Sequence, residues 1–348
     1  MSVQQPVGHG GAFVLGPARC GSTMLSRMLN LHPQILSVSE FLASQTTSAL
    51  LPGQFSGQQY WDMISKPSVQ LNRVMRPDTA PSEYLYDLDG GRWKQADVPA
   101  ISAMTLPHIS DASDGLLDQL GEEVPGWPTR PLAQHHQQLF EHLQQGFGHQ
   151  TWVERSGASL AQAGPIINWF PGAKFVLMTR DARDIVLSIQ AFKPMRVMVW
   201  TWAVLRLLGV NILNGDRPIG TNALLWRCGG VLSRLMPFEC MLQSQPSLKL
   251  CAQFYDQMIL QTVGKVAELP AQKLHVVRYE DLVKQPRQEL SGLTSFLNVD
   301  ADGPWLDQAS ELPRDTGARW RRLGAEDQSS LTAWTTRAQA QMDQLVGG

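Results

Sequence analysis

The sequence predicts an α/β fold in which a parallel sheet of the P-loop type is flanked by helices and carries an inserted, mostly helical cap. Short apolar runs recur along the 348-residue chain and are bounded by turn residues, as expected of buried parallel strands. Segments with helical periodicity follow several of these runs, which is the pattern of βαβ units. A loop bounded by two glycines, Gly16–Thr23 (GPARCGST), joins the first predicted strand to the first predicted helix.

The opening βαβ unit has the clearest pattern. Ala12–Leu15 is a short apolar run that predicts a buried strand. Apolar residues at helical spacing then predict a helix that starts near Ser22 and ends before His32, because Pro33 disfavours helix in the residue before it. Ile35–Val38 predicts the second strand.

The later elements follow with less regular spacing. Residues 45–130 are rich in Pro, Gly, Ser and Gln, lack clear periodicity, and are expected to be irregular. Residues 195–262 have a largely helical pattern with a turn-rich break at Asn211–Thr221. The remaining patterns predict helices over Gln134–Phe147, Ser159–Trp169, Asp184–Ala191 and Asp327–Leu345, and strands over Thr151–Glu154, Lys174–Thr179 and Lys273–Arg278.

No internal repeat or low-complexity linker divides the chain. We therefore expect one domain over residues 1–348, with residues 45–150 and 194–250 inserted as a cap. In the second insertion, Met195–Leu208 is unusually apolar, but it is shorter than the roughly 20 residues that span a bilayer, and two arginines interrupt it. We expect a buried or pocket-lining helix; the alternative is a helix in peripheral contact with a membrane surface.

Composition and charge narrow the classes of function. The chain is 43% hydrophobic and 17% charged, which suits a sizeable core. A formal net charge of −2 argues against a nucleic-acid partner, since proteins that bind nucleic acids need an extended basic field.

The cysteines are scattered along the sequence and predict free thiols in a reducing compartment; they are Cys20, Cys228, Cys240 and Cys251. Because the N-terminus shows no signal-peptide pattern, we expect a cytoplasmic location.

The glycine-bounded loop predicts an anion site. A loop at a helix N-terminus points backbone amides at its ligand, and the helix dipole favours negative charge there. Where a Walker A loop has lysine, this chain has Ser22, and Arg19 supplies a cation before the second glycine instead. We expect Arg19 and the backbone of Cys20, Gly21, Ser22 and Thr23 to hold a phosphate-like group. The alternative is a plain strand–helix turn.

No metal site is predicted. A kinase would need a magnesium ligand near this loop, and the one aspartate at a suitable strand end, Asp181, lies in a basic cluster. His135, His136 and His142 lack convincing ligand spacing and are expected on a helix surface.

Two segments resemble the nucleotide-binding motifs of sulfotransferases that use 3′-phosphoadenosine-5′-phosphosulfate (PAPS). Arg19–Thr23, followed by Leu31–Pro33, resembles that family's 5′-phosphosulfate loop. Lys174–Ser188 resembles its 3′-phosphate motif, in which an arginine at a strand end and a serine eight positions later grip the phosphate. Arg180 and Ser188 keep this spacing.

A third segment, Arg278–Leu282, resembles the family's late R-Y-E-D-L sequence; its Tyr279 is expected in the core, with adenine contact as the alternative. The resemblance runs from residue 12 to about 299 but omits residues 45–145 and 194–250. It is nearest to the bacterial and Golgi-type carbohydrate and tyrosyl-protein enzymes. The cytosolic phenol-type enzymes carry a lysine where this chain has Arg19.

The resemblance implies an enzyme that moves a sulfuryl group from PAPS to a hydroxyl by in-line displacement, releases 3′,5′-adenosine bisphosphate (PAP), and needs no metal. Arg19 would hold the phosphosulfate. Glu40 keeps the family's distance after the loop arginine and is the expected base; the alternative is an ion-paired or helix-terminal glutamate. Arg155 resembles a lysine that stabilises the leaving oxygen. Glu154 is the alternative base, and a purely structural Glu154/Arg155 pair is the alternative to both roles.

A late basic segment loosely resembles the family's last contact with the 3′-phosphate. It consists of Arg319, Trp320 and Arg321, with Arg314 and Arg322 nearby. The alternative is an exposed basic turn.

The resemblance implies a small-molecule, lipid or glycan acceptor. Apolar residues in Met195–Leu208 and Ala223–Trp226 favour a hydrophobic, lipid-like alcohol over a long charged glycan, unless the helix packs only on its own core. Two other functions stay open: an ATP-dependent small-molecule kinase of the P-loop class, and a non-catalytic nucleotide-binding scaffold.

Overall fold

The computed structural model describes residues 10–80, 82–213, 237–313 and 317–347. The strands in these ranges are β1 (Ala12–Leu15), β2 (Ile35–Ser39), β3 (Gln54–Phe55), β4 (Arg130–Pro131), β5 (Thr151–Arg155), β6 (Lys174–Thr179) and β7 (Leu274–Arg278). Five of them form a parallel sheet in the order β2-β5-β1-β6-β7, while β3 and β4 form a separate antiparallel pair. The predicted α/β fold with a parallel sheet is confirmed.

The helices surround this sheet. In chain order they are α1 (Ser22–Asn30), α2 (Phe41–Ser44), α3 (Gly57–Ser65), α4 (Val69–Val74), α5 (Leu106–Ile109), α6 (Ser113–Glu123), α7 (Leu132–Gly146), α8 (Ala163–Trp169), α9 (Ala182–Ala191), α10 (Lys193–Leu207), α11 (Phe238–Gln243), α12 (Leu248–Ala267), α13 (Tyr279–Lys284), α14 (Pro286–Leu297), α15 (Gly303–Ser310) and α16 (Ala325–Gly347). Short 3₁₀ turns lie at Ser159–Gln162 and Arg319–Arg322, among others.

The core is centred on β1, whose four residues are all buried. Phe13 packs against three aromatic rings, with centroid distances of 5.3 Å to Trp152, 4.7 Å to Phe170 and 6.3 Å to Phe175. Because the strands are parallel, their carboxyl ends meet at one edge of the sheet. The segments that follow β1, β2, β5 and β6 therefore gather at that edge.

The expectation that residues 45–130 are irregular is wrong. This segment contains α3, α4, α5 and α6. Local capping explains the first of these, since Ser56 and Gln59 form a reciprocal capping box at the start of α3. The many Pro, Gly, Ser and Gln residues of this segment hide its helices from a sequence-based prediction.

Two histidines of α7 also differ from the prediction, whereas His142 is 37% exposed, as expected of a helix surface. His135 and His136 are fully buried rather than on the helix surface. His135 stacks on Tyr60 at 4.6 Å between centroids, and its Nε2 lies 2.7 Å from the carbonyl oxygen of Phe55. His136 makes the same kind of contact with the carbonyl oxygen of Ala49. Burial lowers the pKa of both rings, so they pack as neutral aromatic groups.

The apolar segment Met195–Leu208 forms a helix, α10, as predicted. None of the helices in the described part of the chain is long and apolar enough to cross a bilayer. Ala223–Trp226, and Asn211–Thr221 beyond residue 213, lie outside the described residues.

Candidate functional site

The loop after β1 turns sharply before α1 begins. Gly21 has φ 99°, and a Cβ atom added there would lie 2.4 Å from Cδ2 of Tyr279, so only glycine fits. Gly21, Ser22 and Thr23 line a cavity at the N-terminus of α1, where first-turn amides lack acceptors within the helix. Cys20 is fully buried, and its amide donates to the carbonyl oxygen of Pro17 at 3.4 Å. Of the predicted loop contacts, Cys20 is therefore the one that turns inward.

Arg19 also has a left-handed backbone, with φ 67°, and its side chain lines the cavity. Its Nε donates to Oγ of Ser188 at 3.2 Å, and its Nη1 pairs with Oε1 of Glu83 at 2.9 Å. The guanidinium lies 4.1 Å from the ring centroid of Phe192. The structure thus joins the two motifs that sequence reasoning assigned to opposite ends of PAPS.

Arg180 follows β6 and lies at the same cavity, with its guanidinium 4.0 Å above the ring of Tyr279. Arg319 is close enough to matter electrostatically: burial lowers its pKa, and the charges of Arg180 and Arg19 lower it further. Its Nε is buried and has no partner among the described residues. Arg319 thus lies in the positive field of Arg180 and Arg19 and keeps an unused donor, an arrangement that suits a ligand carrying several phosphate charges.

The rest of the late basic segment packs on the start of α9. The amide of Trp320 donates to Asp184 at 3.2 Å, and Arg183 stacks on the Trp320 ring at 3.6 Å. Within the described chain, none of Arg319, Trp320 and Arg321 lines the cavity. Arg314 lies outside the described residues.

Glu40 and Arg155 form a buried ion pair at the edge of the sheet. Arg155 ends β5, and its Nη1 donates to Oε1 of Glu40, while its Nη2 donates to Oγ of Ser39 at 2.6 Å. The amide of Gly157 donates to Oε2 of Glu40 at 2.9 Å. Both charged residues line the cavity. Because a carboxylate has about four acceptor sites, Glu40 keeps capacity for a further hydroxyl.

Glu154 points elsewhere. Its Oε1 accepts from the amide of Leu42 at 3.2 Å and from the hydroxyl of Ser156 at 2.5 Å, and Ser156 in turn accepts from the amide of Ala43. These bonds satisfy the first turn of α2, which Glu40 precedes without capping it by its side chain. Within the described residues, Glu154 does not line the cavity, which disfavours it as the base.

We expect the folding stability of wild type to fall as the pH rises, and we expect Glu154→Gln to abolish this fall. Burial raises the pKa of Glu154 from 4.5 to about 7, so the folded protein binds this proton more tightly than the unfolded chain does. Its stabilising contribution is complete at acid pH and is lost as the pH rises through the folded pKa. From about pH 5 to about pH 8.5, wild-type stability should fall by up to about 3 kcal/mol relative to the variant.

Urea unfolding at a series of pH values measures this difference. Glu239→Gln is the control, because Glu239 is 59% exposed in its pair with Arg76; it should keep the wild-type pH dependence. Parallel curves for wild type and Glu154→Gln would contradict the assignment.

The cavity has a volume of about 1110 Å³ and continues from the charged edge of the sheet into an apolar region. Residues from both predicted insertions line it. Five of these are methionines, Met75, Met104, Met195, Met198 and Met241, and Met24 of α1 is a sixth methionine in the wall. Aliphatic side chains of α4 and α10 line it as well, including Val74 and Leu205. The prediction that α10 lines a pocket is confirmed by this geometry.

Sequence reasoning missed three side chains that shape this site. Glu83 lies in the segment without periodicity, so no pattern could have singled it out. Phe192 and Ser39 flank predicted elements, but their contacts with Arg19 and Arg155 depend on how the chain folds back. Within the described residues, no group of three or more His, Cys, Asp or Glu side chains is arranged to hold a metal ion.

Comparison with known proteins shows the family of the chain. A family model described as "Sulfotransferase family" matches residues 12–206 of the 348-residue chain, which is more than half of it. A search of curated proteins found no match.

Solved structures that resemble the chain do so at low identity. The sulfotransferase domain from the curacin biosynthetic pathway is 18% identical, with a TM-score of 0.46 and coverage of 97% of each chain. The sulfotransferase domain of the olefin synthase of Synechococcus PCC 7002 is 15% identical, with a TM-score of 0.43, covering 96% of this chain and 91% of that one. Retinol dehydratase, solved in a complex with retinol and PAP, is 12% identical with a TM-score of 0.40, covering 96% and 82%. These likenesses concern the fold alone.

Proposed function

Since the chain belongs to the sulfotransferase family, we propose that it transfers a sulfuryl group from PAPS to the hydroxyl of a hydrophobic small molecule or lipid-like alcohol. The observation that carries this proposal is the cavity itself. At one end lie the glycine-bounded loop and the side chains of Arg19 and Arg180, with the buried carboxylate of Glu40 beside them; the rest of its wall is largely apolar. The loop and the arginines suit a polyanionic donor, the carboxylate can take a proton, and the apolar wall suits an apolar acceptor molecule.

The donor end fits PAPS by its charges. Arg19 and the first turn of α1 would hold the 5′-phosphosulfate, and Arg180, with Ser188 and Arg319 nearby, would hold the 3′-phosphate. Support comes from the positive charges of Arg180 and Arg19, which lower the pKa of Arg319 beyond the effect of burial. When bound, PAPS supplies the sulfuryl group that is transferred. We place Trp320 and Arg321 behind this site as packing residues.

Glu40 would remove the proton of the acceptor hydroxyl. Its carboxylate lines the cavity and is held on two sides, by Arg155 and by the Gly157 amide. Holding a base in a fixed direction is what efficient proton transfer requires. Arg155 is engaged with Glu40, so we assign it first to orienting the base and, through its charge at the cavity wall, to stabilising the leaving oxygen.

The acceptor end suits a flexible apolar molecule. Methionine side chains adapt to irregular shapes because they are unbranched and polarizable. The segments 45–150 and 194–250 would form this acceptor-side cap, since both contribute to the wall. A long charged glycan would leave its polar groups facing aliphatic side chains at a cost in free energy. We also expect action in the cytoplasm, as Cys20, Cys240 and Cys251 are free thiols.

Thermal unfolding with competing nucleotides tests this function against a kinase. A ligand that binds only the folded state stabilises it by about 2.7 kcal/mol at a concentration of 100 Kd. PAP should therefore raise the melting temperature more than ATP with magnesium at equal concentration. Stronger stabilisation by ATP with magnesium would favour the kinase. Binding of PAP without transfer to any hydroxyl would favour a scaffold.

A further inference from the structure

Glu83 is a buried carboxylate at the cavity wall, in the inserted segment between α4 and α5. Its side chain is only 6% exposed. Oε1 accepts a hydrogen bond from Nη1 of Arg19 at 2.9 Å, and Oε2 accepts one from the hydroxyl of Ser82. Because a buried carboxylate is costly unless it is paired and hydrogen-bonded, these two partners explain how it can lie there.

The backbone that carries Glu83 is firmly anchored. Tyr84 and Tyr86, which follow it, are buried in a small apolar cluster of the inserted segment. The carbonyl oxygen of Ser82 accepts from Nη2 of Arg27, on α1, at 2.9 Å. The same short turn is therefore bonded both to the loop arginine and to the helix that follows the loop.

Arg19 is held on three sides before any ligand arrives. Glu83 contacts its Nη1, Ser188 contacts its Nε, and the ring of Phe192 lies against its flat face. An arginine side chain has many rotamers and loses that freedom when it binds an anion. Contacts that hold it beforehand reduce this cost.

We propose that Glu83 is the positioning residue for Arg19 and that it affects sulfuryl transfer only through that arginine. This inference rests on the proposed function, in which Arg19 holds the 5′-phosphosulfate. If Glu83 positions Arg19, the orientation of an arginine in the donor-binding loop depends on the inserted segment. The segment that helps to line the acceptor cavity thereby also sets the direction of a donor-binding cation.

A double-mutant cycle tests the proposal. Wild type, Glu83→Ala, Arg19→Ala and the double variant are compared in kcat, in KM for PAPS and in Kd for PAP. Glu83→Ala should lower kcat/KM for PAPS on the order of 100-fold, the size expected when a catalytic group is displaced by about 1 Å. In the Arg19→Ala background the same change should cost less than about 2-fold, because the group that Glu83 positions is already absent.

Two further variants separate positioning from folding. Glu83→Gln keeps an oxygen that can accept from Nη1 of Arg19, so it should recover much of the lost kcat/KM even if Glu83→Ala folds poorly. Glu239→Gln, which removes an exposed carboxylate paired with Arg76, should match wild type. A Glu83 effect of equal size with and without Arg19, or wild-type kinetics for both Glu83 variants, would overturn the proposal. If wild type itself neither binds PAP nor transfers sulfate, it is the proposed function that fails.

Discussion

Replacing Glu40 by glutamine is expected to reduce sulfuryl transfer by a factor of about 10²–10⁴ while leaving PAP binding unchanged. Glutamine has nearly the same shape and keeps an oxygen that can accept from Arg155. It cannot take a proton from the acceptor hydroxyl. The loss should therefore lie in kcat, and KM for PAPS should stay close to that of wild type.

The neighbouring carboxylate provides a matched control for this experiment. Glu154 is one residue from Arg155 but bonds to the first turn of α2 and to Ser156. Glu154→Gln should transfer sulfate at neutral pH within a few-fold of wild type. Unchanged turnover in Glu40→Gln together with its loss in Glu154→Gln would move the base to Glu154.

Replacing Arg180 by alanine is expected to weaken PAP binding on the order of 100-fold, as for other buried charge-assisted contacts. The loss of affinity should be confined to nucleotides that carry a 3′-phosphate. Adenosine 5′-monophosphate lacks that group, so its affinity should change little. Isothermal titration with both nucleotides gives the ratio of their affinities, which should be on the order of 100-fold smaller for Arg180→Ala than for wild type.

Arg183→Ala controls for the removal of a positive charge near the site without the removal of a phosphate contact. It lies on α9 near Arg180, but its guanidinium pairs with Asp181 and stacks on Trp320. Arg183→Ala should keep the preference for PAP over the monophosphate. An equal loss of affinity for both nucleotides in Arg180→Ala would place Arg180 away from the 3′-phosphate.

The sheet and its loop could be read from the sequence because their signals are local. Buried parallel strands such as β1 and β6 are short apolar runs, and the loop after β1 carries glycines where the backbone must turn. Arg180 and Ser188 keep a fixed spacing across a strand end and a helix. For these elements, neighbouring residues along the chain contain most of the information.

The polar contacts of the site could not be read in this way. The family resemblance implies that Arg155 acts on the leaving oxygen, but its pairing with Glu40 depends on β2 and β5 lying side by side in the sheet. Glu83 reaches Arg19 from a segment whose short helices leave little periodicity. His135 and His136 are polar residues, but both are buried in the fold. Each can be buried because its Nε2 atom lies within hydrogen-bonding distance of a backbone carbonyl oxygen. Such contacts depend on tertiary packing, which overrides local preference.

Transfer of labelled sulfate from PAPS tests the proposed function, with a set of acceptors that includes long-chain alcohols, phenols, glycans and tyrosine peptides. We expect a labelled sulfate ester of an apolar alcohol, formed together with an equal amount of PAP, and its loss in Glu40→Gln. Transfer only to glycans or peptides would contradict the apolar acceptor. No labelled ester with any acceptor, from a protein that binds PAP, would contradict the enzyme itself.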